Sequence, residues 1–230
     1  LESTLNNALE MTERKSYIAL PVDKNDPTSS WLTGRPKALD AIKKVLGKSD
    51  YDAHAGAYSG GLNSVFWMEI LDQRKDGTVL ITNITDGAKK KVENIQTVIE
   101  SDLLYPLLRG RDVQRWKAEP SAYILMVQDP IQRRGIDEDI MKTQYPKTYL
   151  YLKRFEKELR NRKSRGISDM VKTGAPFYTM FAIGDYTFAP YKVVWTRVAI
   201  DIKAALINSL KTQLIEKVII PVETATMVSF

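Results

Sequence analysis

Residues 65–84 read VFWMEILDQRKDGTVLITNI, and this stretch decides the fold class. Two runs rich in β-branched and aromatic residues, 65–71 and 78–84, flank the dipeptide Asp76-Gly77. Asp-Gly between two such runs is typical of a tight turn that joins antiparallel strands. Residues 92–99 follow another Asp-Gly turn and have a similar composition. We therefore expect three strands in an antiparallel meander.

Patterns outside the meander predict further strands and helices. Pro36 precedes apolar residues at helical spacing and Gly47 follows them, which indicates a short amphipathic helix. We expect a helix at 204–215 and strands at 122–127, 177–183, 187–198 and 217–222. Pro190 indicates a sheet edge or a bulge in the third of these strands. Together the patterns predict an α+β fold of antiparallel strands with a few packed helices.

The basic residues are concentrated in one segment. Residues 142–165 carry nine Lys or Arg and two Glu, although the whole chain has a net charge of only +6. Apolar residues recur on one side of the helix predicted there: Tyr149, Leu152, Phe155 and Leu159. This pattern predicts one long basic amphipathic helix near residues 146–162, with one side packed and the other cationic. A cationic face of this kind favours an anionic partner.

Composition excludes several kinds of chemistry. The 230 residues include no cysteine and one histidine, so disulfides, thiol catalysis, Cys-ligated metals and His-based metal clusters are excluded. No run of eighteen apolar residues occurs, and the N-terminus lacks the apolar stretch of a secretory signal. We expect a cytoplasmic protein with no membrane partner.

Three features could carry chemistry of another kind. The glycine-rich segment 56–61 lacks the Lys-Ser/Thr of a phosphate-binding loop, which favours a tight turn. His54 stands outside any catalytic motif, so we expect a structural role for it. Asp185, Asp201 and Lys203 resemble the acidic-plus-lysine spacing of Mg²⁺-dependent nucleases, and that activity stays open as an alternative.

Several motifs resemble one known family when they are taken in order. They are AGAYSGGLNSVF at 55–66, YPLLRGRDV at 105–113 followed by Arg115-Trp116, the Tyr145-Pro146 pattern up to Arg162, Pro176-Phe177-Tyr178, and Lys192-Val193-Val194-Trp195. In this order they resemble the TaqI-type specificity domain of adenine-specific DNA methyltransferases and fused restriction–modification enzymes. The resemblance begins near Trp31-Leu32 and runs to the end of the chain.

The resemblance implies a DNA target-recognition domain at 31–230, preceded by a linker or the tail of an upstream catalytic domain at 1–30. The catalytic Asn/Asp-Pro-Pro-Tyr/Phe tetrapeptide of the family does not occur in this sequence. We therefore expect no catalytic residue, metal or cofactor in this chain, and S-adenosylmethionine in the catalytic domain of the parent protein. The chain starts without Met and ends inside an apolar run, which is consistent with a fragment truncated at its C-terminus.

Double-stranded DNA and the catalytic domain of the parent chain are the partners that this interpretation predicts. Cations of the helix and the loop after it would bind the DNA backbone: Lys153, Arg154, Lys157, Arg160, Arg162, Lys163 and Arg165. Candidate contacts to bases or phosphates lie mostly in polar loops: Gln132, Arg133, Arg134, Gln144, Arg109 and Arg111, with Gln128 and Asn161 also available. A nucleic-acid or acidic-protein binding module of another class remains the first alternative, ahead of the nuclease.

Overall fold

The computed structural model describes residues 2–211 and 216–230, and its contacts divide the chain into two compact units, Leu1–Asp50 and Tyr51–Phe230. The helices in the described residues are α1 (Glu2–Glu10), α2 (Pro36–Lys43), α3 (Asn63–Phe66), α4 (Glu138–Gln144), α5 (Pro146–Lys153), α6 (Glu156–Arg160), α7 (Arg165–Lys172) and α8 (Asp185–Phe188), with a 3-10 helix at Gly110–Asp112. The strands are β1 (Ile18–Pro21), β2 (Trp31–Gly34), β3 (His54–Ala55), β4 (Trp67–Gln73), β5 (Thr78–Asn83), β6 (Gln96–Glu100), β7 (Leu104–Leu108), β8 (Val113–Gln114), β9 (Lys117–Ala118), β10 (Ala122–Leu125), β11 (Gln128–Asp129), β12 (Arg134–Gly135), β13 (Lys192–Thr196), β14 (Ala204–Ile207), β15 (Ser209–Lys211), β16 (Glu216–Val218), β17 (Ile220–Pro221) and β18 (Ala225–Ser229).

The first unit is a hairpin with helices before and after it. Strands β1 and β2 pair antiparallel, with Ile18 opposite Gly34. Helix α2 begins with Pro36 at its first turn and buries Leu39, so the helix predicted there is confirmed. Helix α1 and strand β1 both lie in the stretch that the sequence interpretation treats as a linker or tail.

The second unit is built around a six-stranded sheet in the order β17-β7-β10-β4-β5-β6. The β4-β5-β6 part is the predicted meander, antiparallel throughout, with Ile81 opposite Ile70 and Thr97. The strand predicted at 122–127 is confirmed as β10, and only the β17–β7 pair is parallel within the described residues. Phe66 and Met68 are fully buried in the core of this sheet.

A second sheet has the order β14-β13-β18-β3, and it surrounds a smaller core with Val194, Ile207 and Met227. The pairs β8–β9, β11–β12 and β15–β16 form separate antiparallel hairpins. The mixed α+β class, with mostly antiparallel sheets and several short helices, is confirmed.

Three local predictions were wrong. Residues 204–211 form β14 and β15, not a helix, because β14 pairs along its length with β13, and tertiary pairing overrides helix propensity. The remainder of that prediction, 212–215, lies outside the described residues. Within the described part of the chain, segment 177–183 forms no strand; its one backbone pairing is an isolated antiparallel β-bridge between Phe181 and Tyr58. The strand predicted at 187–198 shortens to β13, because α8 precedes it and Pro190 cannot supply a ladder N–H.

The basic helical region is present as two short helices. Between α5 and α6, Arg154 and Phe155 form a turn, and Phe155 leaves helical geometry at φ −108° and ψ 14°. The apolar side is nevertheless buried as the pattern predicts, since Leu152, Phe155 and Leu159 are each at most 3% exposed. The interruption therefore leaves these three apolar residues buried.

Candidate nucleic-acid interface

Helix α5 is held against the edge of the large sheet by Glu100, the last residue of β6. The Glu100 carboxylate accepts hydrogen bonds from the backbone N–H of Lys147 at 3.0 Å and of Thr148 at 2.8 Å, and from the Thr148 hydroxyl. Burial raises the pKa of Glu100, but these hydrogen bonds outweigh it and leave the pKa below its usual value. A carboxylate at the first turn also complements the helix dipole, so Glu100 stabilises the N-terminus of α5 against β6.

Two of the predicted backbone-binding cations are held by an acidic neighbour. Glu156 accepts hydrogen bonds from Lys153 and from Arg160, whose Nη2 lies 2.8 Å from the Glu156 carboxylate. The hydrogen bond from Lys153 is the largest effect that lowers the pKa of Glu156. Both cations also lie over the ring of Phe177, at 5.5 Å and 5.4 Å from its centre. Lys153 and Arg160 therefore cover the aromatic core as well as facing solvent.

A cleft beside these residues is acidic. It has a volume of about 570 Å³, and its lining includes Asp137, Glu138, Asp139, Lys142 and Arg160. Lys142 pairs with Asp139 at 3.2 Å. Burial, followed by the hydrogen bond to Glu138, raises the pKa of Tyr149 to about 12. Among these five lining residues, three are acids and two are cations.

Within residues 142–165, four exposed cations make no ion pair with any described residue, and we call them the free basic set: Lys147, Arg154, Lys157 and Lys163. Arg154 and Lys157 are three residues apart across the α5–α6 turn. Arg165 is 3.8 Å from Asp169, but its side chain is 96% exposed, so water screens that pair strongly. These residues can release counterions when a polyanion approaches.

Arg162 is in the interior. Its residue is only 6% exposed, and burial lowers the pKa of its guanidinium to about 10. The guanidinium donates hydrogen bonds of 2.6–3.0 Å to the backbone carbonyls of Ser59, Leu159, Phe177 and Thr179. It therefore has no free donor face for DNA, and its role is to join α6, the glycine-rich segment and residues 177–179.

The glycine-rich segment is shaped by this junction. Gly60 has a left-handed φ of +76°, and a Cβ there would lie 2.9 Å from the Arg162 side chain. A Cβ on Gly56 would lie 2.4 Å from the carbonyl oxygen of Val222. Ala57 and Tyr58 form single β-bridges to Val222 and Phe181, and the chain bends only at Gly60 and Gly61. The segment is thus an extended stretch followed by a bend, not one tight turn, and its glycines allow close approach of backbone and side chains.

A buried polar network, which sequence reasoning missed, adjoins that bend. The Ser59 hydroxyl donates to Oδ1 of the Asn63 side chain, and Nδ2 of the same side chain donates to the Glu223 carboxylate at 3.3 Å. Burial raises the pKa of the Glu223 carboxyl, and its second oxygen has no hydrogen-bond partner among the described residues. The only sequence signal for this network was the position of Asn63 in the quoted motif.

Five candidate base contacts fall into different environments. Gln128 is 4% exposed, and its amide bonds the carbonyl of Tyr178 and the N–H of Met180, so it is a structural residue. Gln132, Arg133 and Arg134 lie together on the β11–β12 hairpin, with Gln132 and Arg133 exposed. Gln144 is exposed at the end of α4. Among the loop candidates, the hairpin brings three together.

Arg109 and Arg111 differ although only one residue separates them. Arg109 pairs with Asp112 at 3.2 Å and lies 5.7 Å from the ring centre of Trp67. Its hydrogen bond to Ser121 ties it further to the fold. Arg111 is 71% exposed, and it lines a cleft of about 810 Å³ with Gly110. Arg109 stabilises the turn, whereas Arg111, whose Nε lies 3.9 Å from Asp112, extends into solvent.

The residues proposed for a nuclease do not form a metal site. Asp201 and Lys203 line the same cleft as Arg111, but Asp185 does not. Residues 2–211 and 216–230 contain no group of three or more His, Cys, Asp or Glu that could hold a metal ion. His54 stacks on Tyr186 with ring centres 3.8 Å apart, which is a packing role.

Comparison with known proteins gives one partial similarity. The chain is 34% identical over 96 residues to the Type II methyltransferase M.NspV of Nostoc sp., a match that covers 41% of this chain and 18% of that protein. No family model matches the chain. The relation to a type II DNA methyltransferase is thus distant and partial. In the described residues no helix is both long enough and apolar enough to cross a membrane.

Proposed function

We propose that this chain recognises the DNA target of a restriction–modification adenine-specific methyltransferase. It binds duplex DNA and positions the target adenine for a catalytic domain outside this sequence, which would bind S-adenosylmethionine. The partial similarity to a type II methyltransferase and the order of the quoted motifs support this proposal. Residues 31–230 form the recognition domain in this proposal, and a bacterial cytoplasm is the setting that a restriction–modification system requires.

The observation that carries the proposal is the free basic set. Arg154 lies in the turn between α5 and α6, and Lys157 lies in α6. Both are exposed, and neither pairs with an acid among the described residues. Such cations bind phosphates with little reorganisation, and each contact releases condensed counterions. Lys163 and Arg165 continue the same basic character into α7.

Charge reversal of the free basic set tests the proposal. We expect the double variant Arg154→Glu/Lys157→Glu to bind all duplexes at least about ten-fold more weakly than the unmodified chain at 0.1 M salt. Because about two phosphate contacts are lost, the negative slope of log K against log salt should become shallower by about 2. Fluorescence anisotropy with a labelled 30-base-pair duplex between 0.05 and 0.2 M KCl measures both quantities.

Lys89 and Lys90 provide a matched control. Both are exposed without ion pairs in the described residues, and they precede β6, whereas Glu100 at the other end of β6 holds α5. The variant Lys89→Glu/Lys90→Glu changes the net charge equally and should lose less than about three-fold in affinity. Equal losses of affinity in the two variants would mean that net charge alone explains the effect. Absence of duplex binding by the unmodified chain at 0.05 M KCl would overturn the proposal.

A further inference from the structure

The β11–β12 hairpin has a pre-organised tip. Its strands pair Gln128 with Gly135 and Asp129 with Arg134. The Asp129 carboxylate accepts hydrogen bonds from the backbone N–H of Ile131 at 2.8 Å and of Gln132 at 2.9 Å. An aspartate that bonds the backbone of the following residues fixes a turn, so the tip projects a defined set of side chains.

The base of the hairpin is anchored in the core. Gln128 uses both ends of its amide on the backbone of residues 178 and 180, and the Gly135 N–H donates to the Thr179 hydroxyl at 3.0 Å. A Cβ on Gly135 would lie 2.9 Å from the Tyr178 ring, so strand β12 lies directly on that ring. Arg162 holds the same segment through the Thr179 carbonyl. The tip therefore stands on a rigid support, as a specific contact requires.

Two adjacent arginines at the tip have different roles. Arg134 donates from Nε to Gln132 at 2.8 Å and from Nη2 to Asp137 at 3.0 Å. Arg133 is exposed, and its side chain makes no hydrogen bond or ion pair with any described residue. The acids of the next helix are already bonded, Glu138 to Tyr149 and Asp139 to Lys142. The Arg133 guanidinium is thus available to a ligand.

Arg133 also occupies a backbone conformation that disfavours it. Its φ is +54°, in the left-handed region where glycine or asparagine is less strained. The charge of Arg133 opposes the rise that burial causes in the pKa of Tyr186. The arginine side chain nevertheless makes no hydrogen bond or ion pair with a described residue that would offset the strain. A strained residue whose side chain makes no such bond is a candidate for a role in recognition.

We propose that Arg133 is a specificity-determining residue that reads guanine in the major groove, carried there by the β11–β12 ribbon. The inference rests on the proposed function. A two-stranded ribbon fits the major groove, and an arginine fork makes two hydrogen bonds to guanine O6 and N7. Ile131, 84% exposed at the same tip, adds an apolar contact suited to a neighbouring thymine methyl group.

Selection from a randomised duplex library, followed by sequencing, tests this inference on the full chain. The unmodified chain should select a motif with guanine at one position. In Arg133→Gly the preference for that guanine should fall by about 5- to 150-fold, the discrimination of one bidentate contact. Arg133→Lys keeps the charge and can still donate to guanine but loses the fork. It should therefore retain only part of the preference, while affinity for random DNA changes less than about three-fold.

Thermal unfolding separates this role from a structural one. Because glycine relieves the left-handed strain, Arg133→Gly should melt at the same temperature as the unmodified chain or up to about 4 °C higher. A lower melting temperature, or an unchanged guanine preference in Arg133→Gly, would overturn the inference alone. A chain that binds duplex DNA but selects no motif, or does not bind it, would overturn the proposed function together with the inference.

Discussion

Arg154 on the outer side of the α5–α6 region and Arg162 in the junction beneath it lie eight residues apart in the same basic stretch. Arg154 is exposed and unpaired within the described residues, whereas Arg162 is buried against four backbone carbonyls. The charge excess calculated from the sequence counts both arginines equally. The comparison shows that a count of basic residues overstates the cations a partner can reach, because the fold itself uses some of them.

The same contrast occurs outside the basic stretch. Lys192 is 1% exposed and donates to the carbonyls of Ala189 and Ile219. Lys217 donates to the carbonyls of Ser101, Asp102 and Leu104 and lies over the Tyr105 ring. Buried cations that bond carbonyls are thus a recurrent device of the second unit, and each satisfies backbone groups that have left a regular ladder.

The largest effect should come from removing the buried arginine. Arg162→Met keeps an unbranched apolar stem but leaves the carbonyls of Ser59, Phe177 and Thr179 without this donor in the interior. We expect a loss of about 3 kcal/mol or more in the free energy of unfolding, since each buried unsatisfied group is costly. Urea denaturation followed by circular dichroism measures it.

Arg154→Met is the matched control for that experiment. Its side chain is exposed and makes no ion pair with any described residue, so the free energy of unfolding should change by less than about 0.5 kcal/mol. If the two variants were equally stable, the distinction between the junction and the outer side would be wrong. DNA affinity should be measured for the same two variants. Arg154→Met should bind duplex DNA more weakly while it stays folded, whereas a loss of affinity in Arg162→Met should accompany its lower stability.

The wrong strand prediction at 177–183 shows what local patterns omit. Apolar and aromatic residues there resemble a strand, but their backbone is satisfied by side chains from distant positions, Arg162 and Gln128. No periodicity within 177–183 contains that information. The meander, by contrast, was predictable, because the alternation of its strands and the Asp76-Gly77 turn are both local.

The candidate site was predictable to a similar extent. Periodicity separated the buried side of α5 and α6 from the cationic side. Three of the four residues of the free basic set, Arg154, Lys157 and Lys163, were in the predicted list, whereas Lys147 was not. Periodicity could not indicate that Glu156 holds Lys153 and Arg160, since alternative side-chain pairings satisfy the same spacing. Nor could it show that Arg133 differs from Arg134, because that difference depends on the turn that Asp129 fixes.

A smaller effect should appear as a pH dependence of stability. Burial lowers the pKa of Lys192 to about 8, below its value of 10.5 in an unfolded chain. Between these values the unfolded state binds more protons, so stability should increase as pH rises from 8 towards 10.5. We expect the unmodified chain to gain about 2 kcal/mol relative to Lys192→Met between pH 7.5 and 9.5.

Chemical denaturation at several pH values checks this expectation. The difference between the two proteins is the relevant quantity, because Lys217, whose pKa is also about 8, and the tyrosines titrate in both. An identical pH dependence would show that Lys192 keeps its ordinary pKa despite its burial.

The smallest expected effect concerns Glu156, which pairs with Lys153 and Arg160 on the outer side of the α5–α6 region. Glu156→Gln frees Lys153 and Arg160 from their shared carboxylate, so on the proposed function duplex affinity should rise about two- to five-fold. The loss of two partly exposed ion pairs should lower the free energy of unfolding by about 0.5 kcal/mol. Glu158→Gln is the control, since it removes the same charge from α6, and Glu158 makes no ion pair in the described residues. Fluorescence anisotropy should give a larger increase for Glu156→Gln, and equal increases would mean that only net charge matters and that the pairing does not limit Lys153 or Arg160.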